Sequence, residues 1–424
     1  MMHYRRVKEM STTLKNNNDV VMLSYTTPGA TVQQVLMKYP SSAQTSENLH
    51  VQKVLHRLRV CRTAALGYHL YRCSNEQCGE IKYQYHSCRD RHCPQCGAIK
   101  KQQWIEARMQ ELLPVKYYHV VFTLPHELNS LVLGHRKVLY KLLFDASAQT
   151  LLCFAKDEKY LGALPGMISV LHTWGQQLSF HPHIHCIVSG GGILTPGPSP
   201  QSREGEKPTL QWREATKNEW GFLFPVKAMS LVYKTKFLQA LKELIANTTV
   251  IPTAGTDTTA LFNMLYQKDW IVYAKAPFGG PHSVIEYLGR YTHKVAISNH
   301  RISSINEPDD TVTFGYKDYA DENKQKQMTL SSTEFIRRFE QHILPKGFTK
   351  IRTYGYLSNR NRHKRISDVL KKMKLPPHKG LVKIPVELRM KQHYGIDINQ
   401  CPCCKKITLQ LLKIYYPWKR ADDG

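Results

Sequence analysis

Acidic residues are scarce in this chain. Only 33 Asp and Glu stand against 59 Lys and Arg, leaving a formal net charge of +26 over 424 residues. A surplus of that size points to a polyanionic partner, and nucleic acid is the commonest one. Also missing is any run of about 18 apolar residues, so no membrane span is expected. The segment MMHYRRVKEMSTTLKNNND carries no continuous apolar stretch of the kind an export signal needs, which predicts a cytoplasmic, nucleoid-associated protein. No internal repeat and no GxxxxGK[ST] loop occur, so chemistry driven by ATP is not expected. Otherwise 42% hydrophobic and 22% charged residues make an ordinary globular composition. The length exceeds the limit of about 250–300 residues for one core, so two or three domains are expected.

Eleven cysteines are present, and their placement argues against disulfides. Six lie between Cys61 and Cys96, three lie in Cys401–Cys404, and only Cys153 and Cys186 stand apart. Short spacings without an export signal read as zinc ligands in a reducing compartment. CSNEQC and CPQC supply Cys73, Cys78, Cys93 and Cys96, two close pairs separated by 14 residues. Such pairs suit a tetrahedral four-thiolate zinc site. Cys61, His69, Cys88 and His92 lie around them and form a second ligand set, so one or two structural zinc ions are expected. The alternative for Cys88 and His92 is packing and hydrogen bonding behind the first site. The terminal CPCC has one short pair and no second pair nearby, and reads as carrying no metal.

The periodicity of the chain divides it into four parts. Residues 1–45 read as a loosely ordered arm and 46–113 as a helical zinc-binding, DNA-contact domain. A catalytic domain follows over 114–305, interrupted by a Gly/Pro/Ser-rich loop at 190–208, and 306–424 form a C-terminal α/β extension. Within these limits YYHVVFTL, SVLHTW and HIHCIVS read as strands, VAISNHRI as another, and about 281–293 as a helix. Helices interleaved with short strands predict an α+β core with a mostly antiparallel sheet. Trp104, Tyr117 and Tyr118 sit near basic residues and are candidates for stacking bases.

Two further motifs carry chemistry. In HPHIHCIVSGGG, His183 and His185 alternate with Ile184, so on a strand both imidazoles share one face. They can chelate a metal and leave positions for a phosphate oxygen, although two surface histidines would show the same spacing. Gln176 is the leading third ligand, with Gln177 and His181 as rivals, and His/Gln/water ligation leans to Mg2+ or Mn2+. In EYLGRYTHK, Tyr287 and Tyr291 are one helical turn apart, with Arg290 and Lys294 each three residues after a tyrosine. A phenol of ordinary pKa about 10 is a poor nucleophile at neutral pH, and adjacent cations would help activate it.

Taken together, CRTAALGYHLYRC…SCRDRHCPQC, VVFTLP, TWGQQLSFHPHIHCIVSGG, FLFPVKAMSLVYKTKF and YAKAPFGGPHSVIEYLGRYTHKVAISNHRI resemble a known family. They are similar to the rolling-circle, single-strand transposases of bacterial insertion sequences, the HUH type with paired tyrosines, related to the Helitron transposases. The resemblance covers about 46 to 360. It implies an RRM-like HUH palm, with His183 and His185 on a central strand binding a divalent metal and a helix bearing the nucleophiles Tyr287 and Tyr291 packed across it. It further implies single-stranded DNA as substrate and a 5′-phosphotyrosine intermediate. Two competing readings remain at this stage. One is a metal-independent tyrosine recombinase using Arg352, His363 and Arg365; the other is a zinc-containing DNA-binding regulator without catalysis.

Overall fold

The computed structural model describes residues 30–40, 46–194, 211–215, 223–275, 283, 284, 287, 289, 295–377 and 384–417. In chain order the helices that matter here are α1 (Val32–Lys38), α2 (Leu49–Arg59), α3 (Ala98–Met109), α4 (Asn129–Gly134), α5 (Arg136–Lys156), α6 (Val226–Ala246), α7 (Thr258–Gln267), α8 (Ser332–Glu340), α9 (Arg362–Lys372) and α10 (Val386–Tyr394). The strands are β1 (Tyr68–Cys73), β2 (Ile81–Tyr85), β3 (Tyr117–Thr123), β4 (Leu164–Trp174), β5 (Phe180–Leu194), β6 (Gln211–Glu214), β7 (Val272–Lys275), β8 (Ile302–Asn306), β9 (Thr311–Asp318), β10 (Lys324–Ser331), β11 (Ile351–Gly355) and β12 (Leu409–Tyr415).

A six-stranded sheet in the order β11-β4-β5-β3-β7, with β6 added to the far end of β5, forms the centre. Every adjacent pair in it is antiparallel, as the alternating sequence of its strands predicts. One face carries Phe122, Ile184, Cys186 and Val188, which pack with Phe144 and Leu151 of α5 and Tyr233 and Phe237 of α6. Helix α5 is apolar and long enough to cross a bilayer by composition, yet two-thirds of its most apolar stretch is buried in this core. The other face carries Tyr117, Ile168, Val170 and Ile187, covered by Ile366, Val369 and Leu370 of α9 and by Val284. Period-two alternation thus puts two apolar layers on one sheet, and the polar residues of β3–β5 emerge where the second layer ends.

Several sequence expectations change. Residues 32–38 of the supposed arm are helical: Thr31 caps α1 by accepting the Gln34 N–H, and Val32, Val35 and Leu36 are buried beside α2. The zinc-binding region is not purely helical, because β1 and β2 form an antiparallel pair there. Nor is the C-terminal part a separate extension. Strand β11 completes the edge of the central sheet, and β12 returns to pair with β1, so the sheet β12-β1-β2 joins both ends of the chain. VAISNHRI is a turn of 3-10 helix leading into β8 rather than a strand. Residues 283, 284, 287 and 289 are helical, as expected of that segment.

Candidate active site and metal centres

The cysteines form two four-thiolate groups, and the partition differs from the sequence expectation. Cys61, Cys88, Cys93 and Cys96 converge, with Sγ–Sγ distances of 3.4 Å (Cys61–Cys96), 3.6 Å (Cys88–Cys96) and 3.7 Å (Cys61–Cys93). Cys73 and Cys78 converge instead with Cys401 and Cys404, at 3.7 Å (Cys73–Cys404) and 3.8 Å (Cys78–Cys401). A tetrahedral zinc with Zn–S bonds of about 2.3 Å requires edges of about 3.8 Å, so both donor sets fit structural Zn2+. Proton sharing with Cys88 lowers the Cys61 thiol to about 7, and the Lys406 N–H and Thr408 hydroxyl help lower that of Cys404 to about 6.

His92 is not a ligand. Its Nδ1 meets the Asp90 carboxylate at 2.8 Å and its Nε2 accepts the Leu344 N–H at 3.1 Å, so both ring nitrogens are committed. His69 packs edge-on against His86, with centroids 4.8 Å apart, and joins neither group. The CPCC tail, expected to be metal-free, supplies half of the second cluster. Adjacency in sequence misassigned the pairs because Cys73 and Cys78 find their partners more than 320 residues away.

His183 and His185 lie on one face of β5, and the structure adds a third imidazole. His172 on β4 stands directly opposite His183, and the ligand atoms of His172, His183 and His185 all lie within 4.8 Å of one another. The His183 Nδ1–H donates to the His181 carbonyl at 2.7 Å, and the His185 Nδ1 contacts His119 Nε2 at 2.9 Å. Ring orientation fixed through Nδ1 is what holds Nε2 towards a metal. These histidines open on a cleft of about 460 Å³ that also includes Gln176, Arg301, Lys317 and Tyr319. Gln176 reaches the cleft, but its amide donates to the Tyr319 hydroxyl at 3.0 Å. His172 is thus an imidazole beside His183 and His185 that the sequence did not offer, and Gln176 lines the same cleft.

Tyr287 comes to the same place from the other side. Its hydroxyl lies 2.9 Å from His119 Nε2, so a single ring separates the phenol from His185. That nitrogen offers one lone pair and serves His185 or Tyr287 at any moment. His119 is buried on β3, and burial, with Lys275 and His183 adding, drives its pKa down to about 3. It is consequently neutral at physiological pH and leaves the phenol beside an uncharged acceptor. Neither His119 nor His172 was legible in the sequence. Each is an isolated histidine in an apolar strand, and only the β4-β5-β3 register brings it to His183 and His185.

Tyr291, Arg290 and Lys294 lie outside the described residues. Of the proposed base-stacking residues, Tyr117 is core: it is buried, and its hydroxyl accepts the Leu113 N–H. Trp104 and Tyr118 are half-buried against the two sheet cores. Of the recombinase candidates, Arg352 and Arg365 are engaged in structural contacts. Arg352 stacks on Phe144 at 4.4 Å and pairs with Asp145, on the sheet face opposite Tyr287. Arg365 is held by the Gly355 carbonyl and the Ser358 hydroxyl.

Comparison with known proteins agrees with this architecture. A family profile described as "Putative transposase" matches residues 166–365, and one described as "Transposase zinc-binding domain" matches residues 31–124. A protein of Sinorhizobium fredii named "Putative transposase y4qJ" is 37% identical over 402 residues, covering 91% of this chain and 96% of its own. The "Transposase for insertion sequence element IS801" of Pseudomonas savastanoi pv. phaseolicola is 29% identical over 362 residues, covering 82% of this chain and 80% of its own. No solved structure matches. The span of these matches, across both the zinc-binding region and the histidine-bearing sheet, means that the chain belongs to the IS91/IS801-type insertion-sequence transposases.

Proposed function

We propose that this transposase cleaves and rejoins single-stranded DNA with a tyrosine nucleophile on an HUH-type palm, moving its element by a rolling-circle-like route. The observation that carries the reading is the chain of contacts Tyr287 Oη–His119 Nε2–His185 Nδ1, each 2.9 Å, which ties a phenol to a three-histidine cluster. His172, His183 and His185 would hold a divalent ion, whose charge stabilises negative charge on the scissile phosphate. Three imidazoles favour a first-row transition ion such as Mn2+ over Mg2+, whose preference is for oxygen ligands.

In the cleavage step the Tyr287 oxygen attacks phosphorus in line. A P–O bond to the tyrosine forms, the bond to the 3′-oxygen breaks, and the phenolic proton leaves as the 3′-hydroxyl takes one up. The product is a 5′-phosphotyrosine and a free 3′-OH, and the adduct conserves the bond energy for rejoining. Tyr291, four residues further along the sequence, is the second nucleophile, either phenol being able to cleave first while the other takes the returning strand, with Arg290 and Lys294 as the adjacent cations. Reduced thiols at both zinc clusters fit a cytoplasmic enzyme acting at the nucleoid.

The test separates the metals. His172→Ala and His183→Ala should each abolish nicking of a single-stranded oligonucleotide while leaving the bound zinc unchanged, measured by elemental analysis beside the nicking assay. Wild-type nicking by His183→Ala would contradict the assignment.

A further inference from the structure

Of the residues offered by the sequence as base-stacking groups, Tyr117 is core and Trp104 and Tyr118 are half-buried, yet the sheet β12-β1-β2 beside the second thiolate cluster presents another set. Tyr68 on β1 stands directly opposite Tyr85 on β2 and Tyr415 on β12, so the three rings form a row across the sheet on one face. Tyr68 and Tyr415 are stacked at 5.2 Å and 27°, and Tyr68 meets Tyr83 edge-on at 5.3 Å. The outer rings are open to solvent: Tyr83 is 53% exposed, and Tyr85 and Tyr415 are each 43% exposed. Strands of soluble proteins seldom spend large aromatic surface this way without a ligand. The charge around the row is of one sign. By strand alternation Arg72 and Lys413 share the face of the row while Lys82 lies on the other, and the three strands contain no Asp or Glu.

We propose that this face is a stacking platform for unpaired bases of a DNA strand. A π-face accepts any base once it is unstacked, which a paired duplex does not allow, and cations beside the rings meet the backbone phosphates. One ring of the row comes from the chain's C-terminal strand, which Cys401 and Cys404 bring to Cys73 and Cys78. The second thiolate cluster thereby acquires a purpose beyond holding the fold, because it completes the platform. The inference rests on the single-stranded substrate of the preceding reading, but it concerns binding at a surface separate from Tyr287.

The experiment measures equilibrium binding of labelled oligothymidine and of a duplex to the full-length chain. Tyr85→Ala and Tyr415→Ala should each weaken oligothymidine binding by about fivefold or more. Tyr85→Phe and Tyr415→Phe should retain it, and duplex affinity should not change. Zinc content and circular dichroism report folding of the variants. Independently of any variant, photo-cross-linking of wild type to an oligonucleotide carrying 5-iodouracil should label Tyr68, Tyr83, Tyr85 or Tyr415. Wild-type affinity in a folded double alanine variant, or cross-links confined to other parts of the chain, overturns the proposal. Formation of the tyrosine adduct by wild type, followed in parallel, separates the two readings. An adduct without a tyrosine-dependent platform leaves only the cleavage reading standing; tyrosine-dependent binding without an adduct leaves only the platform.

Discussion

Substituting phenylalanine for both Tyr287 and Tyr291 should abolish the covalent protein–DNA adduct, while each single substitution keeps some single-turnover nicking and loses complete transposition. The reason is a division of labour. Transposition needs cleavage at one element end and then a second cleavage or transfer while the first adduct persists. On a helix the i, i+4 spacing of Tyr287 and Tyr291 would set the two phenols about one turn apart, so that either could reach one phosphate site in turn. Removing the hydroxyl removes the nucleophile itself, so the loss in the double variant is of covalent catalysis altogether. Denaturing electrophoresis of protein linked to a labelled oligonucleotide reads it out. Normal transposition by either single variant would make this a one-tyrosine enzyme and return the other phenol to packing.

The second large effect concerns the ends of the chain. Metal analysis should find two zinc ions per chain, and Cys401→Ser should reduce this to one while freeing the C-terminal strand to proteolysis. Among the described residues the buried cluster around the second thiolate group is small: Cys73, Cys401 and Leu409, with Tyr71, Cys78 and Cys404 partly buried against them. At about 25 cal/mol per Å² so small an apolar cluster cannot hold a three-stranded sheet. A structural zinc contributes on the order of 10 kcal/mol at neutral pH, and here that contribution fastens β12 to β1. Cys93→Ser has the harsher consequence. It dismantles the Cys61, Cys88, Cys93 and Cys96 site, which packs directly into the core containing α1, α2 and α8, and should unfold the N-terminal region. Two zinc ions retained by Cys401→Ser would refute the cross-chain cluster.

What was legible in the sequence follows from how far each signal reaches. Alternation within one strand placed His183 and His185 on one face, because it is a local property of the backbone. The central strands were legible for the same reason: YYHVVFTL and HIHCIVS bury apolar residues on both faces. Strands β2 and β12 were not, since IKYQY and LQLLKIY carry charge and exposed aromatics and bury almost nothing in a core. His119 and His172 depended on strand register, a tertiary property no spacing reports. The cysteine partition failed likewise. Nothing in CPCC indicates that its partners lie near the start of the chain, and a rule that pairs neighbours assigns Cys93 and Cys96 to the wrong site.

Covalent bond formation by a tyrosine beside the three-histidine cluster is the step on which the proposed chemistry turns. It is tested most directly by incubating the protein with an end-labelled single-stranded element end, with and without Mn2+, and mapping the DNA terminus left on the protein. An adduct is expected only when metal is present, linked through a 5′-phosphate to Tyr287 or Tyr291, with a free 3′-OH on the released strand. A 3′-phosphotyrosine, or an adduct undiminished by chelation of the metal, would contradict it.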